Sequence, residues 1–145
     1  MKFLFLSFLF VMPLTSFSAE VSFTHFGQEG NRQSYYACSY VEDQTYDILD
    51  TLGATGIEVR CSGGITPGWY AGPVYVTARF DLPQVSGTDE TIIELTGDVF
   101  NPACGMNVKI IKEVLKAFSH ITVLKKQDSC PFADSNYYFQ LKVLR

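Results

Sequence analysis

The sequence predicts an α+β domain, broadly a ferredoxin-like open sandwich: a mostly antiparallel sheet with two helices on one face, held by two disulfides. Three observations predict it. Two stretches carry apolar residues at helical spacing: Val41, Thr45, Ile48, Leu49 and Leu52, then Val108, Ile111, Leu115 and Phe118. Other stretches alternate apolar with polar residues, most plainly 74–82, the period of a strand with one covered face. Four cysteines, Cys38, Cys61, Cys104 and Cys130, bracket the two helical stretches. A chain of 145 residues fits one domain. Its composition, 47% hydrophobic and 18% charged, excludes intrinsic disorder.

Residues 1–18 read as a secretory signal peptide. Lys2 supplies the positive end, residues 3–12 are almost wholly apolar, Pro13 closes the run, and Ser16, Ser18 and Ala19 are small. The run is far shorter than the ~20 residues that cross a bilayer. Cleavage after Ser18 leaves Ser16 and Ser18 at the specificity positions, whereas cleavage after Ala19 places Phe17 there. The expected product is one exported domain, residues 19–145, of 127 residues and net charge −5. No later apolar run is long enough for a membrane span. No Asn-x-Ser/Thr sequon occurs, which leans the compartment toward a bacterial periplasm.

The elements follow in order. Val21 and Phe23 alternate with Ser22 and Thr24 as a short strand, before a polar loop from Gly27 to Asn31. Tyr35, Tyr36, Ala37 and Cys38 read as a further strand. Ser39 and Glu42 have capping-box spacing, opening a helix over 40–52 that Gly53 stops. Ile57, Val59 and Cys61 then alternate as a strand. A glycine-rich loop follows over 62–72, then the strand 74–82, ended by Pro83. Residues 91–100 predict a strand kinked at Gly97. The second helix begins either at Asn101 and Pro102 or at Asn107, and runs to Phe118. Strands at 121–124 and 137–143 close the chain.

An even number of cysteines in an exported chain reads as two disulfides. No C-x-x-C occurs, and zinc ligands come in closer pairs than these four cysteines. Four cysteines allow three pairings, and geometry selects one. A helix over 40–52 climbs roughly 20 Å at ~1.5 Å per residue. The strand 57–61 returns about 17 Å at ~3.3 Å per residue, bringing Cys61 level with Cys38. The second half behaves alike, so the expected bonds are Cys38–Cys61 and Cys104–Cys130. There is also a faint internal repeat. Ile48, Leu49 and Leu52 lie 10, 11 and 14 residues after Cys38, as Val114, Leu115 and Phe118 lie after Cys104.

Cys38, Val41, Glu42, Gln44, Leu52, Gly53, Ala54, Val59, Cys61, Gly63, Gly64 and Ile65 together resemble a pattern in small exported proteins of proteobacteria. The likeness continues through 74–82, the Cys104 helix, Cys130 and the closing strand. It implies a shared fold and brings no activity with it.

Little in the chain points to catalysis. His25 and His120 are its two histidines, and no G-x-S-x-G elbow is present. His120 falls at the end of the second helix, where a cation suits the dipole. Asp43, Asp47 and Asp50 stripe the first helix, and Lys109, Lys112 and Lys116 the second. Residues 19–104 carry three Lys+Arg against twelve Asp+Glu, and residues 105–145 seven against three. Solvated helix faces account for this better than a dipolar docking surface. The Asp stripe lacks calcium-loop spacing, and an acidic chain without a basic tail does not suit nucleic acid.

The stretch best suited to binding is the loop 62–72. Gly63 and Gly64 permit close backbone approach, and Trp69 and Tyr70 offer rings to stack or to anchor a partner. No lysine or helix follows it, so it is not a phosphate loop. A strand connector whose Trp69 closes the core edge accounts for this stretch better than a binding loop; Trp69, Tyr70, Gly63 and Gly64 are the candidate ligand or partner residues, with no catalytic residue, metal ligand or cofactor expected. The chain reads as a non-enzymatic binding or accessory module of the cell envelope, with an unidentified protein or small-molecule partner. A small secreted hydrolase, or an inhibitor or effector acting through 62–72, are the alternatives.

Overall fold

The computed structural model describes residues 18–29, 32–65, 68, 71–97, 103–132 and 135–145. In chain order it forms β1 (Ser18–His25), β2 (Gln28–Glu29), β3 (Arg32–Gln33), α1 (Cys38–Thr51), β4 (Thr55–Ile65), β5 (Ala71–Asp81), β6 (Glu90–Thr96), α2 (Cys104–Leu115), β7 (Ile121–Gln127) and β8 (Tyr138–Leu144). The α+β class stands. The strands divide into two three-stranded antiparallel sheets, ordered β1-β5-β4 and β6-β8-β7, beside the small β2-β3 ladder, where the sequence suggested one sheet.

The two sheets repeat one plan. Each is built by a strand, a helix and two further strands, and in each the last strand lies between the other two. The faint sequence repeat therefore has a structural counterpart: a first βαββ unit (β1, α1, β4, β5) and a second (β6, α2, β7, β8). Each disulfide ties the first residue of its unit's helix to the strand that follows it or to the residues just beyond. Cys38 bonds Cys61 and Cys104 bonds Cys130, with Cα–Cα distances of 5.3 and 5.6 Å.

The alternation read from 74–82 sets the first sheet's faces. Val74, Val76, Ala78 and Phe80 point into the core, opposite His25, Phe23, Val21 and Ala19 of β1. In the second sheet Leu95 and Ile93 of β6 stand opposite Phe139 and Leu141 of β8. The predicted face of α1 is the one buried, with Val41, Thr45 and Leu49 all at 0% exposure. The Thr45 hydroxyl is satisfied inside that face by donating to the Val41 carbonyl at 2.7 Å. α2 is buried over a wider arc, adding Met106, Ile110 and Val114, because it meets α1 and β1 of the first unit. One continuous core results. Phe80 and Phe118 stack across the units with centroids 5.6 Å apart.

Several local readings are corrected. Tyr35, Tyr36 and Ala37 are not a strand, and Cys38 opens α1. The capping box does not form: Ala37 is the N-cap, without a side-chain bond. Glu42 is drawn away because its Oε1 accepts the Cys61 N–H of β4 at 2.8 Å. The second helix starts at Cys104, so Asn107 lies inside it and is buried; Asn101 and Pro102 fall outside the described residues. β6 ends at Thr96, before Gly97. Gly53 does stop α1, with φ +84°. The Gly53 and Ala54 N–H groups donate to the carbonyls of Asp50 and Leu49, the paired bonds of a Schellman ending. The proposed leader lies outside the described residues except for Ser18, the first residue of β1. Among the described residues no helix is long and apolar enough to cross a membrane.

Candidate functional site

Trp69 and Tyr70 lie outside the described residues. Gly63 and Gly64 sit at the end of β4 with φ of +86° and +74°, beside an irregularity in the β4–β5 register. Their close approaches are to the chain's own backbone. A Cβ on Gly63 would lie 2.2 Å from the Pro73 carbonyl oxygen, and one on Gly64 2.3 Å from that of Tyr36. The room at Gly64 lets the Tyr36 carbonyl accept the Ile65 N–H at 3.0 Å. A side chain at either position is both strained in φ and blocked.

The hairpin that carries these glycines also presents an outer strand face. Alternation sends Tyr75, Thr77 and Arg79 of β5 outward, opposite Ser62, Arg60 and Glu58 of β4. These six line a shallow cleft of about 330 Å³, with Cys61 at its side. Tyr75 is 53% exposed. Arg79 Nε donates to Glu20 Oε2 of β1 at 2.6 Å, and Arg60 Nε to Glu58 Oε1 at 2.9 Å. The Glu20 hydrogen bond and charge push the Arg79 pKa further up. The Thr77 hydroxyl lies 3.2 Å from that of Ser22. The face therefore offers one open ring, hydroxyls, and two guanidinium groups already matched with carboxylates. Its signal was legible: the period that buries Val74 and Val76 must expose Tyr75 and Thr77.

The lysines of α2 are held within their own unit. Glu113 accepts from Lys109 and Lys116 at 2.9 and 2.6 Å, and its pKa is lowered first by Lys116 and then by Lys109. Asp128 takes Lys112 at 2.8 Å and Lys126 at 3.1 Å, and its pKa falls for the same reason, Lys112 first. Asp43, Asp47 and Asp50 are exposed and form no ion pair among the described residues.

Neither histidine stands on open surface. His25 is 9% exposed and meets the Tyr36 ring edge-on at 5.8 Å. His120 meets Phe118 edge-on at 5.6 Å. Burial alone pushes the His120 pKa below its ordinary value. Within the second unit, burial pushes the Tyr137 pKa up, and the neighbouring Asn107 acts in the opposite direction. No cluster of three or more His, Cys, Asp or Glu side chains able to hold a metal occurs among the described residues. Compared with family models, curated proteins and solved structures, the chain matches none.

Proposed function

We propose that this chain is an exported, non-enzymatic binding module of the cell envelope that engages its ligand with the outer face of the β4–β5 hairpin. The observation that carries this reading is the cleft beneath Tyr75, where an exposed ring, paired arginines and hydroxyls converge. Trp69 and Tyr70 fall in sequence between the two strands of that face and lie outside the described residues. Gly63 and Gly64 serve that face by setting the hairpin's path. Two disulfides support folding in an oxidising compartment, the leader-like residues 1–18 support export, and the absence of an Asn-x-Ser/Thr sequon leans the compartment toward a bacterial periplasm. As a fold, each unit reads as half of a ferredoxin-like sandwich, its first strand beside its last.

Native mass spectrometry of the protein purified from its host's periplasm tests this. The expected spectrum shows cleavage after Ser18, the loss of four hydrogens for two disulfides, and a bound adduct that Tyr75→Ala loses. An adduct equally retained by Tyr75→Ala but lost on replacing residues 66–70 would favour an inhibitor or effector working through the hairpin tip. Free thiols would contradict export.

A further inference from the structure

Resting on that reading, we infer that the ligand of the β4–β5 face is a neutral carbohydrate. The charge balance of the cleft comes first. Arg60 is committed to Glu58 and Arg79 to Glu20, so two positive and two negative groups sum to zero. A polyanion draws its affinity from unmatched cations, and among the described residues this face offers none. The lining comes second. Among the described residues it holds no aliphatic side chain, whereas a partner anchored by apolar side chains needs a desolvated pocket for them.

What the cleft does hold suits a sugar. The Tyr75 ring can cover the C–H face of a pyranose. Ser62 and Thr77 can both donate and accept. A guanidinium beside a carboxylate presents donors and an acceptor side by side, as neighbouring sugar hydroxyls require. Three cross-strand rows, Glu58 with Arg79, Arg60 with Thr77 and Ser62 with Tyr75, extend roughly 13 Å along the strands, the span of a short oligosaccharide. The β4 edge already uses two of its amides where a peptide strand would pair. The Cys61 N–H is taken by Glu42 and the Ile65 N–H by Tyr36, which leaves the side-chain face as the surface on offer.

The test is an amide NMR titration of the disulfide-bonded protein with maltotetraose, cellotetraose and chitotetraose, and separately with a heparin tetrasaccharide. The expected result is saturable shifts at Arg60, Ser62, Tyr75 and Thr77 from at least one neutral probe. The midpoint should not depend on salt. Tyr75→Ala and Arg60→Gln, both at exposed positions, should each weaken it about tenfold, while Tyr138→Ala on the other sheet leaves it unchanged. Saturable, salt-dependent shifts from heparin alone would overturn the carbohydrate assignment and leave the binding face standing. No saturable shift from any neutral probe at millimolar concentrations would also overturn the assignment, and the retained-adduct experiment would then decide the binding reading by itself.

Discussion

The two βαββ units share a plan but not a finish, and the difference lies at the strand next to each helix's disulfide. In the first unit β4 is an edge strand with two of its outward amides bonded. Cys61 lies within the strand, so its disulfide fastens α1 directly to β4. Glu42 adds a bond to the Cys61 N–H, and the Tyr36 carbonyl another to the Ile65 N–H. In the second unit β7 is the corresponding edge. Cys130 lies beyond its end, and Val108 occupies the helix position that Glu42 holds in the first. Among the described residues nothing bonds across the free edge of β7. From Thr122 to Gln127 every residue is exposed, Val123 at 42% and Leu124 at 46%. A register irregularity between Val123 and Lys125, with two lysines beside it, guards that edge by other means. One edge has two amides bonded and the other is made unwelcome to a strand.

The largest effect should come where the units meet. Phe80→Ala removes a ring that is 2% exposed and stacked on Phe118, at a cost of about 3–5 kcal/mol. If the units form one cooperative body, denaturant unfolding stays a single transition with a lower midpoint. Two separated transitions would break the comparison by making each unit independent.

The disulfides come next. Each closes a loop of similar length, with sequence separations of 23 and 26, and its removal should cost on the order of 3 kcal/mol. The joint substitution Cys104→Ala with Cys130→Ala should cost more than Cys38→Ala with Cys61→Ala, because Glu42 and Tyr36 still hold α1 to β4 in the latter. Paired urea melts check the order.

Glu42→Ala alone leaves the Cys61 N–H without its carboxylate. It should cost about 1.5 kcal/mol, whereas Val108→Ala in the second unit tests packing only.

A smaller effect follows from His120. Burial holds its pKa below the ordinary 6.5, so the unfolded chain takes up the proton first as pH falls. This contribution to stability is whole above the ordinary value and is lost as pH falls through the folded one. Glu113 and Asp128, both shifted down by lysines, lose theirs only at lower pH. Thermal midpoints between about pH 7 and 5 should decline in the native protein and flatten in His120→Phe. Smallest of all, Tyr75→Ala should change stability by less than about 0.5 kcal/mol, since the exposed ring supports no core.

Much of the fold was legible in the sequence. Periodicity placed both helices and the buried faces of β5 and β8. The rise per residue of helix and strand selected the two disulfides. Gly53 marked the end of α1 because only a residue at ease with positive φ completes that ending. Other features depended on tertiary partners. Ser39 and Glu42 have the spacing of a cap, yet a strand N–H nineteen residues away competes better for the carboxylate. Tyr35 and Tyr36 look like a strand and instead form the connection that bonds β4's edge at Ile65. The division into two sheets was invisible, because local pattern does not say which strands pair. The rings and glycines of 62–72 point to that loop, while the cleft lies on the strand face beside it. Tyr75 was already on the outward side of the clearest alternation in the chain, and only the pairing of β4 with β5 brought Arg60 and Ser62 to it.

Amide hydrogen exchange resolved by NMR tests the bonded and open edges most directly. The account predicts that the Cys61 and Ile65 amides, though on an edge strand, exchange as slowly as core amides such as Val76, while alternate amides of β7 exchange like open backbone. Cys61 and Ile65 exchanging as fast as the free edge of β7 would contradict it.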